Sequence, residues 1–207
     1  MHARTLKRLV DSVQQPWFWD FGNEVLYQLC RKHPRHSDAS IAAAKVWLIG
    51  RSYAAAIEPR RVIEPHPGNF YRDCVAPEMG RSKIDERLCA LKSIQNVTAH
   101  SFSTIVEAHK YVTDLFGRIS GQDKRSLASK YLHFHAPALF FIYDSQGVKG
   151  MRKLSKITGR ASKNGCGGDN EYRKFAEKCL ALRDHIYNHN GVMLTPRQID
   201  RLLLLLA

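Results

Sequence analysis

Apolar residues in this chain recur at three- and four-residue spacing and nowhere alternate strongly enough for a large sheet, so the fold must be built from helices. Start and stop signals divide the pattern. Leu6, Leu9 and Val10 mark a short first helix, broken at Gln15-Pro16. Asp20 is placed to cap a second helix running to about Arg31, which His33-Pro34 stops. Ser37 or Asp38 caps a third, which its alanine-rich stretches carry through Ile57. Residues 58–82 hold Pro59, Pro65, Pro67 and Pro77 and read as a long loop bearing Arg60, Arg61, Arg72 and Arg81; loops of this length often serve function. Helix returns over Ile84–Ile94. It returns again from Ser103 or Thr104, where Thr104 and Glu107 have capping-box spacing, and Gly117 and Gly121 end that helix.

A tight connection over Ile119–Asp123 leads into a helix from about Lys124 to His135, closed by Pro137. Ala138–Tyr143 is apolar and aromatic, a minor extended segment or a buried linker. Asp144-Ser145 caps a further helix to about Ile157, residues 159–170 form a glycine-rich loop, and Glu171–Asn190 is a long helix. Thr195-Pro196 opens the last one. The expected fold is all-α, as one compact domain over 1–207 or two helical lobes, 1–118 and 119–207, sharing a core.

Charge bears on the partner. Thirty-two Lys and Arg against nineteen Asp and Glu give a net +13. Such an excess favours a polyanion, because Lys and Arg that neutralise phosphates release counterions. Nucleic acid is therefore the expected partner, double-stranded DNA foremost, with an acidic protein or a merely solvated surface as the plainer readings. Five cysteines, an odd number without a Cys-x-x-Cys pair, lack the spacing of a zinc ribbon, and most read as reduced thiols. The opening MHARTLKRLV lacks a long apolar stretch, and no run approaches the ~20 apolar residues of a membrane helix. The expected location is cytoplasmic. His133 and His135, two apart on a helix, point different ways and make no metal pair. His33 and His36, on either side of Pro34, read as exposed.

Chemistry concentrates in residues 119–144, ISGQDKRSLASKYLHFHAPALFFIYD. Lys130 and Phe134 share a helix face, and desolvating an ammonium among apolar neighbours favours its neutral, nucleophilic form. Asp144 then stands at a helix N-terminus, where free N–H groups and the helix dipole favour a carboxylate. The bland readings are a lysine that snorkels into water and an aspartate that only caps.

Helix, glycine-bearing hairpin, helix, apolar linker and aspartate at a helix N-terminus together resemble the helix-hairpin-helix DNA glycosylase superfamily, nearest its 8-oxoguanine glycosylase branch. The run SLASKYLHFHAPALFFIYDS carries the resemblance, about 30 of 207 residues. It implies base excision with AP-lyase chemistry on a flipped base, and no metal or organic cofactor. The family aspartate falls on Asp144. The family lysine lies just after the hairpin, near Lys124–Ser126 here; the hairpin keeps one glycine, Gly121, and Lys130 stands further along the same helix. The resemblance implies Lys130 as nucleophile and Asp144 as the stabiliser of positive charge on the sugar. Tyr131, His133, Phe134 and Tyr143 are candidates to stack on the base or line its pocket, with Lys124 and Arg125 beside the nucleic acid; core packing is the plainer reading of Phe134, and solvent exposure of Lys124.

A rival lies at Arg183-Asp184-His185-Ile186-Tyr187-Asn188-His189, which resembles the HEPN ribonuclease pattern, with His189 as acid-base group and Arg183 on phosphate. A nucleic-acid-binding module without catalysis is a third reading. Arg51, late in an apolar helix, is either paired or free to touch phosphate.

Overall fold

A computed structural model describes residues 3–58, 68–159 and 169–207. These residues form eleven helices and one π-helical turn, and no strand occurs among them. In chain order the helices are α1 (Ala3–Val13), α2 (Asp20–Lys32), α3 (Ala39–Ser52), α4 (Ala76–Arg81), α5 (Ile84–Ala90) and α6 (Phe102–Ser120). There follow α7 (Arg125–His135), α8 (Ser145–Lys153), the single turn α9 (Ser155–Thr158), α10 (Asn170–Asn190) and α11 (Pro196–Leu206). The π turn, Tyr71–Val75, runs straight into α4. No helix among the described residues is long and apolar enough to cross a membrane.

The buried apolar side chains form one cluster, to which α1, α2, α3, α6, α7, α10 and α11 all contribute. Helix α7 lies in its middle. Every residue from Leu127 to Phe134 is buried, Ser129, Lys130 and His133 included. A helix buried all round sits inside the core, and its polar groups must find partners there. One close approach fixes α8 against α11: a Cβ built on Gly150 would stand 2.1 Å from the Leu203 carbonyl oxygen, so only glycine fits. That packing holds the helix whose first turn carries Asp144.

The caps read from the sequence form at Asp38, whose side chain accepts from the N–H groups of Ser40 and Ile41, and at Asp144. Thr195 closes a full capping box with Gln198. Asp20, by contrast, is the first residue of α2 rather than its cap, and its Oδ2 accepts the Trp17 N–H at 2.6 Å. The box at Thr104 is absent: α6 starts earlier, at Phe102, and Ser103 Oγ instead donates to Glu107 at 3.1 Å. Helix α6 also runs past Gly117 to Gly121, whose φ of 67° is the left-handed conformation glycine adopts freely.

Helix α3 stops at Ser52, five residues short of the expected Ile57. Tertiary acceptance overrides alanine propensity here. The chain turns out of the helix at Ala54, whose φ of 48° is left-handed, and the Tyr53 carbonyl, which a longer helix would use, takes Lys130 Nζ while the Ala56 and Glu58 carbonyls take Lys124 Nζ. Of the expected loop, residues 71–81 are helical instead, while Pro59, Arg60, Arg61, Pro65 and Pro67 lie outside the described residues, as does Cys166. Helix α5 ends at Ala90 rather than Ile94, and α8 breaks at Leu154. Ala138–Tyr143 is neither helix nor strand; Leu139–Ile142 are buried as a linker through the core.

His36 is buried, not exposed. Its Nδ1–H donates to Asp85 at 2.5 Å and its Nε2 accepts from the Tyr131 hydroxyl at 2.5 Å. Burial, with Lys45 nearby, pushes its pKa down to about 4, so the ring is neutral at pH 7.

Candidate active site

A cleft of about 790 Å³ opens between the turn after α3, the α6–α7 connection, α7 and the first turn of α8. Lys130 stands in its wall with 3% of its surface exposed. Its ammonium has three acceptors: the Tyr53 carbonyl, Ser126 Oγ and Asp144 Oδ2, each at 3.1 Å. Three donors thus meet three partners, the condition for holding a buried ammonium.

The aspartate is held as firmly. Extended backbone at Asp144 (φ −157°, ψ 179°) turns its side chain back over α8, and Oδ1 accepts the Gly147 N–H at 2.8 Å. The other oxygen faces the amine. Ser129 sets the spacing between the two elements: its hydroxyl donates to the Ser126 carbonyl at 2.9 Å and accepts the Tyr143 N–H at 3.0 Å, pinning the linker to α7 one residue before Asp144. Beyond the first turn, α8 and α9 expose Lys149, Arg152, Lys153 and Lys156, and residues 145–159 contain no acid. A basic face thus runs away from the cleft mouth.

Among the sequence candidates, Lys130 and Asp144 meet in the cleft, and Lys124 lines it. Lys124 does not face solvent freely, since its Nζ bonds the Ala56 and Glu58 carbonyls. Tyr131, His133 and Phe134 do not reach the cleft; all three are at most 1% exposed. Tyr131 donates to His36, and His133 bridges Tyr27 at 2.6 Å and the Phe140 carbonyl at 2.8 Å. Burial pushes the His133 pKa down to about 3, the Arg197 charge adding to it. Phe134 packs against Tyr27 and Tyr53. The expectation that these rings stack on a base therefore gives way to core packing, because α7 is enclosed on all sides.

Tyr143 is half-buried against Phe175, with the Arg125 guanidinium 5.8 Å from its ring centre. Arg125 pairs with Asp169 at 2.6 Å and Asp123 at 3.0 Å, tying α7 to the start of α10. Arg51 is exposed and paired with Glu58 at the cleft edge.

Arg183 and His189 are not brought together. Six residues apart on α10, they point about 120° away from each other. Arg183 is tucked in, donating to the Val97 carbonyl at 3.1 Å, while exposed His189 stacks on His185 at 4.0 Å. Among the described residues no group of three or more His, Cys, Asp or Glu could hold a metal ion.

Sequence reasoning missed the groups that build the site around the pair. Ser126 was legible, four residues before Lys130 on the same face. The Tyr53 carbonyl, Asn23, Arg197 and Asp200 carry no local signal. Arg197 lies near the rings of Tyr53, Phe134 and Tyr27 and donates to Asp200 at 3.3 Å. Asp200 is buried, which pushes its carboxyl up to about pH 6 against the opposing pull of Arg197.

No family model, curated protein or solved structure matches this chain.

Proposed function

We propose that this chain is a DNA-acting base-excision enzyme of the helix-hairpin-helix glycosylase type, with Lys130 as nucleophile and Asp144 as its electrostatic partner. The observation that carries the reading is the 3.1 Å approach of Lys130 Nζ to Asp144 Oδ2 inside a cleft, at the N-terminus of a helix whose outer face is basic. An amine and a carboxylate at one sugar carbon suffice for the reaction, without metal or cofactor.

The steps balance as follows. The C1′–N bond of a flipped nucleotide stretches, and the Asp144 carboxylate stabilises the cationic sugar. The Lys130 ammonium passes one proton to the departing base, which leaves with the glycosidic electron pair, and the freed nitrogen lone pair forms the new C1′–N bond. Sugar-ring opening then moves a proton from that nitrogen to O4′ and leaves a protonated Schiff base on Lys130; strand elimination can proceed from it, and water adding to the C=N bond releases the enzyme. Phosphates lie along α8, where Lys149, Arg152, Lys153 and Lys156 release counterions.

Incubation with a panel of duplexes, each carrying one damaged or modified base, followed by hot alkali, tests the reading. Alkali-sensitive breaks at the modified position on at least one duplex are expected. Intact strands across the whole panel, with DNA binding preserved, would leave a binding module in place of an enzyme.

A further inference from the structure

The turn between α1 and α2 carries an unusual concentration of exposed rings: Phe18 is 84% exposed, Trp19 59% and Phe21 83%. Large apolar groups grouped on a surface mark an interaction site. The corner is firmly mounted. Trp17 N–H bonds Asp20 Oδ2 at 2.6 Å, Asp20 N–H bonds the Trp17 carbonyl at 3.0 Å, and Asn23 N–H bonds the Trp19 carbonyl at 3.0 Å. Phe18 and Trp19 meet edge to face, centroids 5.1 Å apart.

Beside Trp19 lies a cavity of about 370 Å³, lined by Trp17, Trp19, Asn23, Tyr53, Arg197 and Asp200 among others. Two buried donors there have no acceptor: Nδ2 of Asn23, a residue 8% exposed, and an Nη of Arg197. Tyr53 joins this cavity to the cleft, because the same residue lines both and its carbonyl accepts Lys130 Nζ.

We propose that the Trp17–Phe21 corner is a base-stacking surface that receives unpaired nucleobases of the bound nucleic acid. The proposal rests on the reading that the partner is nucleic acid and goes beyond it by assigning the surface that grips unstacked bases. Chemistry selects the occupant. A lipid tail or an apolar helix would cover the rings but leave the cations beside them without anions. A single-stranded nucleic acid supplies π faces for the rings and phosphates for the cations. Charge agrees: Arg201 sits 5.1 Å from the Trp17 ring centre, and α1, packed on α11, exposes Arg4, Lys7 and Arg8.

The test uses the full chain and oligonucleotides carrying 2-aminopurine at an unpaired position, with affinity from anisotropy and stacking from fluorescence quenching. Phe18→Ala/Phe21→Ala removes only exposed rings, and its thermal melt is expected to match the wild type. It should weaken binding by about tenfold or more and abolish the quenching. Arg4→Gln/Arg8→Gln should lower affinity and flatten its salt dependence while keeping the quenching. If the wild type binds and the double phenylalanine variant binds and quenches equally, the corner is not a stacking surface, and base excision at Lys130 is untouched. If the wild type stacks bases but makes no alkali-sensitive site, excision fails and the corner stands. Sedimentation with phosphatidylcholine–phosphatidylglycerol vesicles that depends on Phe18 and Phe21, or a dimer that the double variant converts to monomer while affinity is unchanged, would overturn the proposal.

Discussion

If the chain excises bases as proposed, Asp144→Asn is expected to slow base release about a thousandfold, and Lys130→Gln to abolish the covalent intermediate while leaving DNA affinity within a few-fold of wild type. The first effect follows from where charge develops. A cationic sugar in the cleft faces the carboxylate oxygen that now faces the ammonium, and removing one such preorganised charge typically loses a factor of about 10²–10³. The second follows because Ser126, Tyr53 and Asp144 offer their oxygens to the Lys130 amine, which glutamine cannot replace as a nucleophile. Each change also unbalances an enclosed ion pair. Lys130 keeps two of its three acceptors in Asp144→Asn, and the Asp144 side chain is about a fifth exposed, so the fold should survive with a loss of roughly 1–3 kcal/mol. Single-turnover base release measured beside thermal melts of each variant separates the two effects.

Stability falls steeply as the medium is acidified from pH 7 to pH 5. The folded pKa values of His36 and His133 are lowered to about 4 and about 3 from an ordinary 6.5 by burial. A depressed histidine contributes stability that is present above the unfolded pKa and lost as pH falls through the folded one, because the unfolded chain takes up the proton first. Asp200 works the other way. Its carboxyl is raised from 3.8 to about 6, so its contribution is largest in acid and lost as pH rises through that value. Two histidines outweigh one aspartate, and the net loss over those two pH units is roughly 2–3 kcal/mol. His109 and His135, lowered well below their ordinary range by burial, add in the same direction. Urea unfolding at pH 7, 6 and 5 checks this; a midpoint that stays flat or climbs toward pH 5 contradicts the neutral burial of these rings.

The division between what the sequence discloses and what it hides is physical. Caps are local chemistry, so Asp38, Asp144 and Thr195 are readable from a few residues each. The Lys130–Asp144 pair is nearly local too: a helix, a buried linker and a cap leave few ways to place them. The end of α3 was hidden because its fate is settled by Lys124 and Lys130, more than sixty residues away. The enclosure of α7 was hidden for the same reason, and with it the core roles of Tyr131 and His133. Asn23 and Arg197, which line one cavity, meet only through tertiary packing of α2 and α11 around Tyr53.

The most direct measurement is borohydride trapping on a duplex that yields alkali-sensitive sites, followed by peptide mapping of the adduct. Hydride delivered to the Schiff base locks the sugar carbon to the attacking nitrogen. The account predicts a single trapped species carrying the DNA on Lys130, absent in Lys130→Gln. An adduct mapped to Lys124 or to another amine, or one that persists in Lys130→Gln, contradicts it.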